Sequence, residues 1–164
     1  MILITRPEPD SIKLLNLLKE KKIICHVDPI ISFEYMKLED IIFKQNSFII
    51  ASVQALHAIV ENKISENKKF INGEFYIIGK KVKEEAERIG VKNIVKTFYD
   101  FSSFAFFLRK QNTINKIQYF SGNVISDSAK ELVNEGLLDQ SIVYKYVTSK
   151  EFSRETLNLF AAKQ

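Results

Sequence analysis

The chain alternates short apolar runs with longer stretches in which apolar residues recur every three or four positions. The short runs have the length and composition of buried strands, and the longer stretches have helical spacing. The pattern predicts strands near 2–5, 23–27, 48–51, 74–79, 93–96 and 116–123, and helices near 10–20, 53–65, 80–89, 101–110, 126–135 and 153–162. Strands that alternate with helices form βαβ crossovers, so we expect an α/β fold with a mostly parallel sheet.

Two further stretches, 31–39 and 142–147, alternate apolar and polar residues with a period of two. In the second stretch this alternation places Tyr144 and Tyr146 on one face. Strands of this kind have one solvated face and are usually antiparallel. One stretch precedes the central βα units and the other follows them. We therefore predict a two-stranded antiparallel linker, built from 31–39 and 141–149.

This linker divides the chain into two predicted domains. Residues 40–140 supply a complete α/β domain, which is inserted into another domain. That other domain would consist of residues 1–30 and 150–164. The first of these segments provides only a strand, a helix and a strand, which is too little to bury a sheet. The pattern is typical of a two-domain protein whose first domain is incomplete.

Composition narrows the class of protein. The chain has 164 residues, of which 46% are hydrophobic and 27% charged, as in globular proteins. Its single cysteine, Cys25, excludes an internal disulfide. The sequence has no secretory pattern and no apolar run long enough to span a membrane, so we expect a cytoplasmic protein without a membrane partner. The net charge of +4 favours an anionic ligand, but the lysines are scattered, which argues against a nucleic-acid partner.

The sequence lacks the motifs of several common chemistries. It has neither a G-x-G-x-x-G segment nor a P-loop, which argues against a nucleotide cofactor. With only His26, His57 and Cys25 as soft ligands, no zinc cluster can form, and we expect no metal. The aromatic run at 98–107 repeats Phe every third residue, which indicates a face directed to the core.

The carboxyl ends of the predicted strands are the expected ligand edge of such a sheet. Ser52 follows a buried strand, where it could cap the next helix or bind a ligand together with the free N–H groups of that helix. The segment Ser121-Gly122-Asn123 ends another strand at this edge. Its glycine is explained either by a close backbone approach or by an ordinary turn. Tyr144 could border a cleft between the domains or pack against a neighbouring domain.

Taken in order, several segments resemble those of uroporphyrinogen-III synthases. The stretch "ILITRPEPDSIKLLNLLKEKKI" with "DPIISFE" is similar to the amino-terminal signature of that family, a strand leading to Thr-Arg-Pro and then a helix, a strand and a proline. "FIIASVQALHAI", "FYIIGKKVKEEAERIGV", "IQYFSGNVISDSAKELVNEG" and "IVYKYV" follow in the family's order. The resemblance covers nearly the whole chain.

The resemblance implies two flavodoxin-like α/β domains, one inserted into the other, and an activity without cofactor or metal. That activity cyclises hydroxymethylbilane, a linear tetrapyrrole with eight carboxylates, to uroporphyrinogen III with inversion of the last pyrrole ring. It implies that Tyr144 is the catalytic general acid. The substrate-binding residues it implies are Arg6, Ser52, Gly79, Ser121, Gly122 and Asn123.

The chain also departs from the family pattern. Ala51, Val82 and Tyr146 stand where the family has threonine, and the chain ends where the family continues into the rest of its first domain. We therefore expect a carboxyl-terminally truncated member, which would be active if a second chain completed the first domain in a homodimer. The alternatives are an inactive relic and a flavodoxin-like binding module without catalysis.

Overall fold

The computed structural model describes residues 1–8, 10–37, 43–111 and 115–161. The chain divides into a first unit, Met1–Glu34 with Tyr146–Gln164, and a second unit, Tyr35–Lys145. The strands are β1 (Ile2–Ile4), β2 (Cys25–Val27), β3 (Ile31–Tyr35), β4 (Ser47–Ile50), β5 (Glu74–Ile78), β6 (Ile94–Phe98), β7 (Ile117–Gly122) and β8 (Leu138–Thr148). The helices are α1 (Asp10–Glu20), α2 (Val53–Glu61), α3 (Lys68–Ile71), α4 (Lys80–Arg88), α5 (Phe101–Arg109), α6 (Asp127–Asn134) and α7 (Arg154–Ala161).

In the first unit, β1 and β2 form a parallel two-stranded sheet, and α1 is the crossover helix that connects the two strands. Helix α7 is joined to the end of β2 by polar side chains. The Asp28 carboxylate accepts hydrogen bonds from the Ser153 N–H (2.8 Å) and the Thr156 hydroxyl (2.5 Å). His26 Nε2 lies 2.8 Å from the same hydroxyl. These bonds connect segments separated by more than a hundred residues.

The larger sheet has the strand order β3-β8-β7-β4-β5-β6, and its strands β4 to β7 lie wholly in the second unit. Strands β4 to β8 are mutually parallel, which confirms the predicted α/β class. Counted from β4 as strand 1, the parallel strands have the order 3-2-1-4-5. Flavodoxin-like sheets have the order 2-1-3-4-5, so the flavodoxin-like prediction is wrong in strand order. The reason is that β5 and β6 both add to one side of β4, and the chain crosses to the other side only through α5.

The core lies on both faces of this sheet because successive residues of a strand point to opposite faces. Ile49 belongs to a buried cluster with residues of α5 and α6, including Phe104 and Leu132. Phe48 packs on the other side against the rings of Phe70, Phe75 and Phe120, with centroids 5.3–5.7 Å away. The predicted aromatic stripe is confirmed as core, since Phe98, Phe101 and Phe104 are all buried.

The last strand differs from the predicted linker strand at 141–149. Strand β8 begins at Leu138 and runs parallel to β7 before it continues beside β3. Its register shifts opposite Ser121 and Gly122, which leaves one extra residue in β8. Val143 and Tyr144 are consecutive and both buried, at 0% and 3% exposed, so this part of β8 lacks the solvated face that the alternation predicted.

Two other boundaries differ from the sequence prediction. Helix α2 ends at Glu61 and not near 65, because Lys63 adopts a left-handed conformation (φ +55°) and leads into a 3-10 turn at Ile64–Glu66. Strand β3 ends at Tyr35. Residues 38 and 39 of the predicted linker strand, and residue 162 of the predicted last helix, lie outside the described residues.

Candidate active site

The strand order creates a switch point between β4 and β7. From β4 the chain builds outward through β5 and β6, and it then returns to the other side of β4 with β7 and β8. In parallel sheets of this type, ligands bind outside the carboxyl ends of the strands at such a point, where the flanking loops diverge. Ser52 follows β4, and Gly122 ends β7. Both sequence-predicted residues therefore lie at the switch point.

Ser52 is the N-cap of α2. Its backbone is extended (φ −145°, ψ 135°), and its Oγ accepts a hydrogen bond from the Gln54 N–H at 3.1 Å. The same oxygen accepts a second hydrogen bond, 3.0 Å long, from the hydroxyl of Tyr144. Ser52 can therefore cap the helix and belong to a ligand site at the same time, because one lone pair of its hydroxyl accepts from Gln54 and the other from Tyr144.

The Ser52 hydroxyl also has a proton of its own to donate. A serine hydroxyl offers one donor and two acceptor positions, and both acceptor positions are occupied here. Among the described residues no acceptor is recorded for the Ser52 proton. Ser52 is half-buried, whereas Tyr144 behind it is only 3% exposed. The pair can therefore present a hydroxyl donor at the switch point, with a buried phenol hydrogen-bonded to its oxygen.

Gly122 makes room for the ring of Tyr144. A Cβ atom at this glycine would lie 2.7 Å from Cε2 and Cζ of Tyr144 and 3.0 Å from its hydroxyl oxygen. Contacts this short do not occur, so any other residue would displace the ring. The structure thus favours the close approach over an ordinary turn as the reason for this glycine. Gly122, Tyr144 and Ser52 form one contiguous group, which we call the tyrosine–serine site.

The neighbours of Gly122 have different positions. Ser121 is 1% exposed, and its hydroxyl donates to the Gly122 carbonyl (3.0 Å) and accepts from Gln140 Nε2 (2.8 Å). Its side chain thus stabilises the end of β7 from the interior. Asn123 is exposed, and its N–H donates to the Tyr144 carbonyl at 3.2 Å. Gln140 was missed from the sequence because it lies before the predicted linker strand, and only the parallel pairing of β7 with β8 brings it to Ser121.

Gly79 is the N-cap of α4 and follows the carboxyl end of β5. Its φ of +91° is in the left-handed region that favours glycine, and it has no side chain to cap the helix. The first turn of α4 contains no acidic residue and carries Lys80 and Lys81. This helix start therefore presents N–H groups and positive charge, which favour an anion. Val82, in the same turn, is buried at 7% exposed.

Helices α5 and α6 begin with carboxylates instead. Asp100 caps α5, and the Ser103 backbone N–H lowers the pKa of its carboxyl group below the ordinary value. A hydrogen bond from Lys130 likewise lowers the pKa of Asp127 in the first turn of α6. Both groups are ionised near neutral pH and neither can serve there as a proton donor.

Arg6 belongs to the first unit. Its side chain is 61% exposed and lies 3.8 Å from the Asp10 carboxylate, one turn along the chain. At this exposure the ion pair restrains the guanidinium only weakly. Arg6 therefore remains a predicted binding residue on the surface of its own unit.

Comparison with solved structures identifies the fold. Uroporphyrinogen-III synthetase from Helicobacter pylori 26695 matches with a TM-score of 0.58 and 17% identity, over 82% of this chain and 61% of that one. A mutant uroporphyrinogen III synthase from the extremely thermophilic bacterium Thermus thermophilus matches with a TM-score of 0.62 and 8% identity, over 90% of this chain and 63% of that one. The chain is similar in fold to uroporphyrinogen-III synthases. It spans about three fifths of the length of these two proteins.

The resemblance seen in the sequence is thus confirmed at the level of the synthase fold. No protein-family model matches the chain, and no curated protein matches it significantly. Within the described residues, no three or more His, Cys, Asp or Glu side chains are grouped as metal ligands would be. The helices in the described part of the chain are all too short or too polar to cross a membrane.

Proposed function

We propose that the chain acts as a uroporphyrinogen-III synthase on hydroxymethylbilane, with the tyrosine–serine site as its proton donor. The observation that carries the proposal is the 3.0 Å hydrogen bond from Tyr144 to Ser52 at the switch point of a synthase-like fold. Because the sequence identity to the synthases is only 8–17%, the proposal rests on this pair of residues and not on overall similarity.

In the proposed reaction the terminal hydroxyl of hydroxymethylbilane leaves as water. Electrons from the adjacent pyrrole break the C–O bond, and the departing oxygen takes the proton of Ser52. Tyr144 transfers its own proton to Ser52 along the existing hydrogen bond. The resulting carbon electrophile is attacked by the substituted carbon of the last pyrrole, and rearrangement through a spiro intermediate inverts that ring. The proton lost when the final ring regains aromaticity returns to the phenolate of Tyr144.

The carboxylates of the substrate need N–H donors and positive charge. The start of α4 supplies both, since Gly79 leaves its first turn without a side-chain cap and Lys80 and Lys81 follow. Gly122 ends β7, which β4 separates from β5 in the sheet, and Asn123 follows it; both would contact the macrocycle as it folds. Holding one folded geometry is the main requirement, because the substrate activates itself and closure by the uninverted ring competes.

We further propose that the second unit is the inserted domain of a two-domain synthase, and that β3 with the distal part of β8 is its linker. In the first unit, Ile24 and Leu17 are 74% and 58% exposed, so apolar surface is available for a second copy of the chain. Sedimentation at several protein concentrations tests this homodimer.

The activity is tested by generating hydroxymethylbilane in place, adding the chain, and separating the type I and type III uroporphyrins after oxidation. We expect type III product above the spontaneous type I background, and its loss in Tyr144→Phe. Tyr76→Phe is the matched control, because it removes a hydroxyl from the middle of β5 within the aromatic core. Full type III formation by Tyr144→Phe would overturn the proposed acid.

Type I product alone from the wild-type chain would overturn the synthase proposal. Substrate binding that persists without turnover would then favour the binding module. That alternative is supported by Ala51 and Val82, which stand where the resemblance to the synthases implies threonine.

A further inference from the structure

A second polar cluster lies in a cleft beside α2 and α4, and the proposed reaction does not use it. The cleft has a volume of about 520 Å³. Val60 and Ile89 form its apolar part, and its polar part includes Tyr35, His57, Glu61 and Arg88.

The protons of this cluster can be assigned from its hydrogen bonds. Two hydrogen bonds from Arg88 and one from His57 lower the pKa of Glu85 to about 2, so it is a carboxylate at neutral pH. His57 Nε2 lies 2.9 Å from Glu85 Oε1 and must therefore carry the N–H that donates to it. In the neutral ring, Nδ1 then has a lone pair and no proton.

Tyr35 faces this lone pair without offering it a proton. The Tyr35 hydroxyl donates its one proton to Gln54 Oε1 at 2.7 Å. Its oxygen lies 3.5 Å from His57 Nδ1. Two hydrogen-bond acceptors thus converge, and no proton of either residue lies between them. The two acceptors are satisfied only when an N–H or O–H group from outside the pair donates a hydrogen bond to them.

The charge of the cleft selects among possible donors. The positive charge of Arg88 is balanced by the Glu85 carboxylate, to which Arg88 donates two hydrogen bonds of 2.5 and 2.8 Å. For Glu61 no cation is recorded within ion-pair distance among the described residues. Burial and the Glu61 carboxylate both raise the pKa of Tyr35, which places that negative charge near the acceptor pair. A positively charged donor is therefore favoured over a neutral one.

We propose that this cleft binds a small aliphatic amine or guanidine. One N–H of the cation donates to the Tyr35 oxygen and His57 Nδ1, its charge faces Glu61, and its alkyl chain contacts Val60 and Ile89. The site goes beyond the proposed synthase activity and does not depend on it.

The test uses n-butylamine and n-butylguanidine as probes of the full chain, followed by NMR of the histidine rings. The chain has only two histidines, and His26 in the first unit serves as an internal reference. We expect saturable shifts of the His57 resonances and none of the His26 resonances. n-Butanol and butyrate, which lack the positive charge, should produce no saturable shift. Equal shifts with butyrate, or no saturable shift with either cation at tens of millimolar, would overturn the proposal.

Variants separate the two parts of the site. Tyr35→Phe removes one acceptor and Glu61→Gln removes the charge, and we expect each to weaken binding about tenfold. Glu20→Gln makes the same charge change on an exposed helix of the first unit and should have no effect. Unchanged affinity in both cleft variants would refute the site even if the probes bind.

Discussion

Replacing Gly122 by alanine tests the geometry of the tyrosine–serine site most directly. The new Cβ would lie 2.7 Å from two ring carbons of Tyr144, whereas ordinary contacts begin at 3.4 Å. The ring or the strand must therefore move by about 0.7 Å. The hydrogen bond from Tyr144 to Ser52 is 3.0 Å long and is lost beyond about 3.5 Å, so a shift of this size is enough to break it.

Two consequences follow for Gly122→Ala. Overpacking a well-filled site costs about 1–3 kcal/mol, and thermal unfolding should register about 2–4 °C for each kcal/mol. Type III uroporphyrin formation should fall by about a hundredfold, since a misplaced donor loses its alignment with the leaving oxygen. Both quantities are measured on the same preparations.

A double-mutant cycle identifies the cause. In a Tyr144→Ala background the ring is absent, so adding Gly122→Ala should cost almost nothing further in unfolding free energy. An equal cost in both backgrounds would show that the alanine acts on the backbone of β7 and not on the ring. Wild-type stability and activity in Gly122→Ala alone would refute the close approach as the reason for this glycine.

Three further predictions concern other parts of the chain. The hydrogen bonds from Arg88 lower the pKa of Glu85 to about 2, so this carboxylate contributes stability that is present above its ordinary value of 4.5 and is lost as the pH falls toward about 2. Glu85→Gln should therefore flatten the dependence of the melting temperature on pH over that range, and an unchanged profile would show that Glu85 contributes none of it. The hydrogen bond from Thr156 is the largest cause of the lowered pKa of Asp28. Thr156→Val should therefore raise that pKa, measured by NMR, toward 3.8. An unchanged pKa would show that the other hydrogen bonds of Asp28 are enough to lower it. Gly73→Ala would drive a Cβ into the phenyl ring of Phe48 in the core, and we expect the free energy of unfolding, measured with a chemical denaturant, to fall by about 1–3 kcal/mol. An unchanged free energy would show that the loop before β5 moves to accommodate the alanine.

The sequence alone predicted the class of fold and most of its elements. Apolar runs and helical spacing are local signals, so β4, β5 and β7 and the helices after them were predicted within a few residues. Boundaries failed where the chain turns without a strong signal, as at Lys63, whose left-handed conformation is decided by the following turn. The segment order also predicted the resemblance to synthases, which the fold confirms although identity is only 8–17%.

The candidate site was predicted only in part. Ser52 and Gly122 were selected because they end strands, which is visible in the sequence. Their relation to Tyr144 was not visible there, because it depends on which strands are neighbours. The functional roles predicted for the site residues all remain predictions, and Gln140 was missed; the residues are Arg6, Ser52, Gly79, Ser121, Gly122, Asn123 and Tyr144.

What the sequence determined by itself is therefore the set of elements and the residues at their ends, since these follow from period and local conformation. Only the tertiary structure decided the 3-2-1-4-5 strand order, the bulge in β8 opposite Ser121 and Gly122, and the assembly of the two polar clusters. Ser52 and Tyr144 are separated by 92 residues and Tyr35 and His57 by 22. Their contacts depend on the pairing and packing of whole elements, and no local pattern in the chain records that pairing.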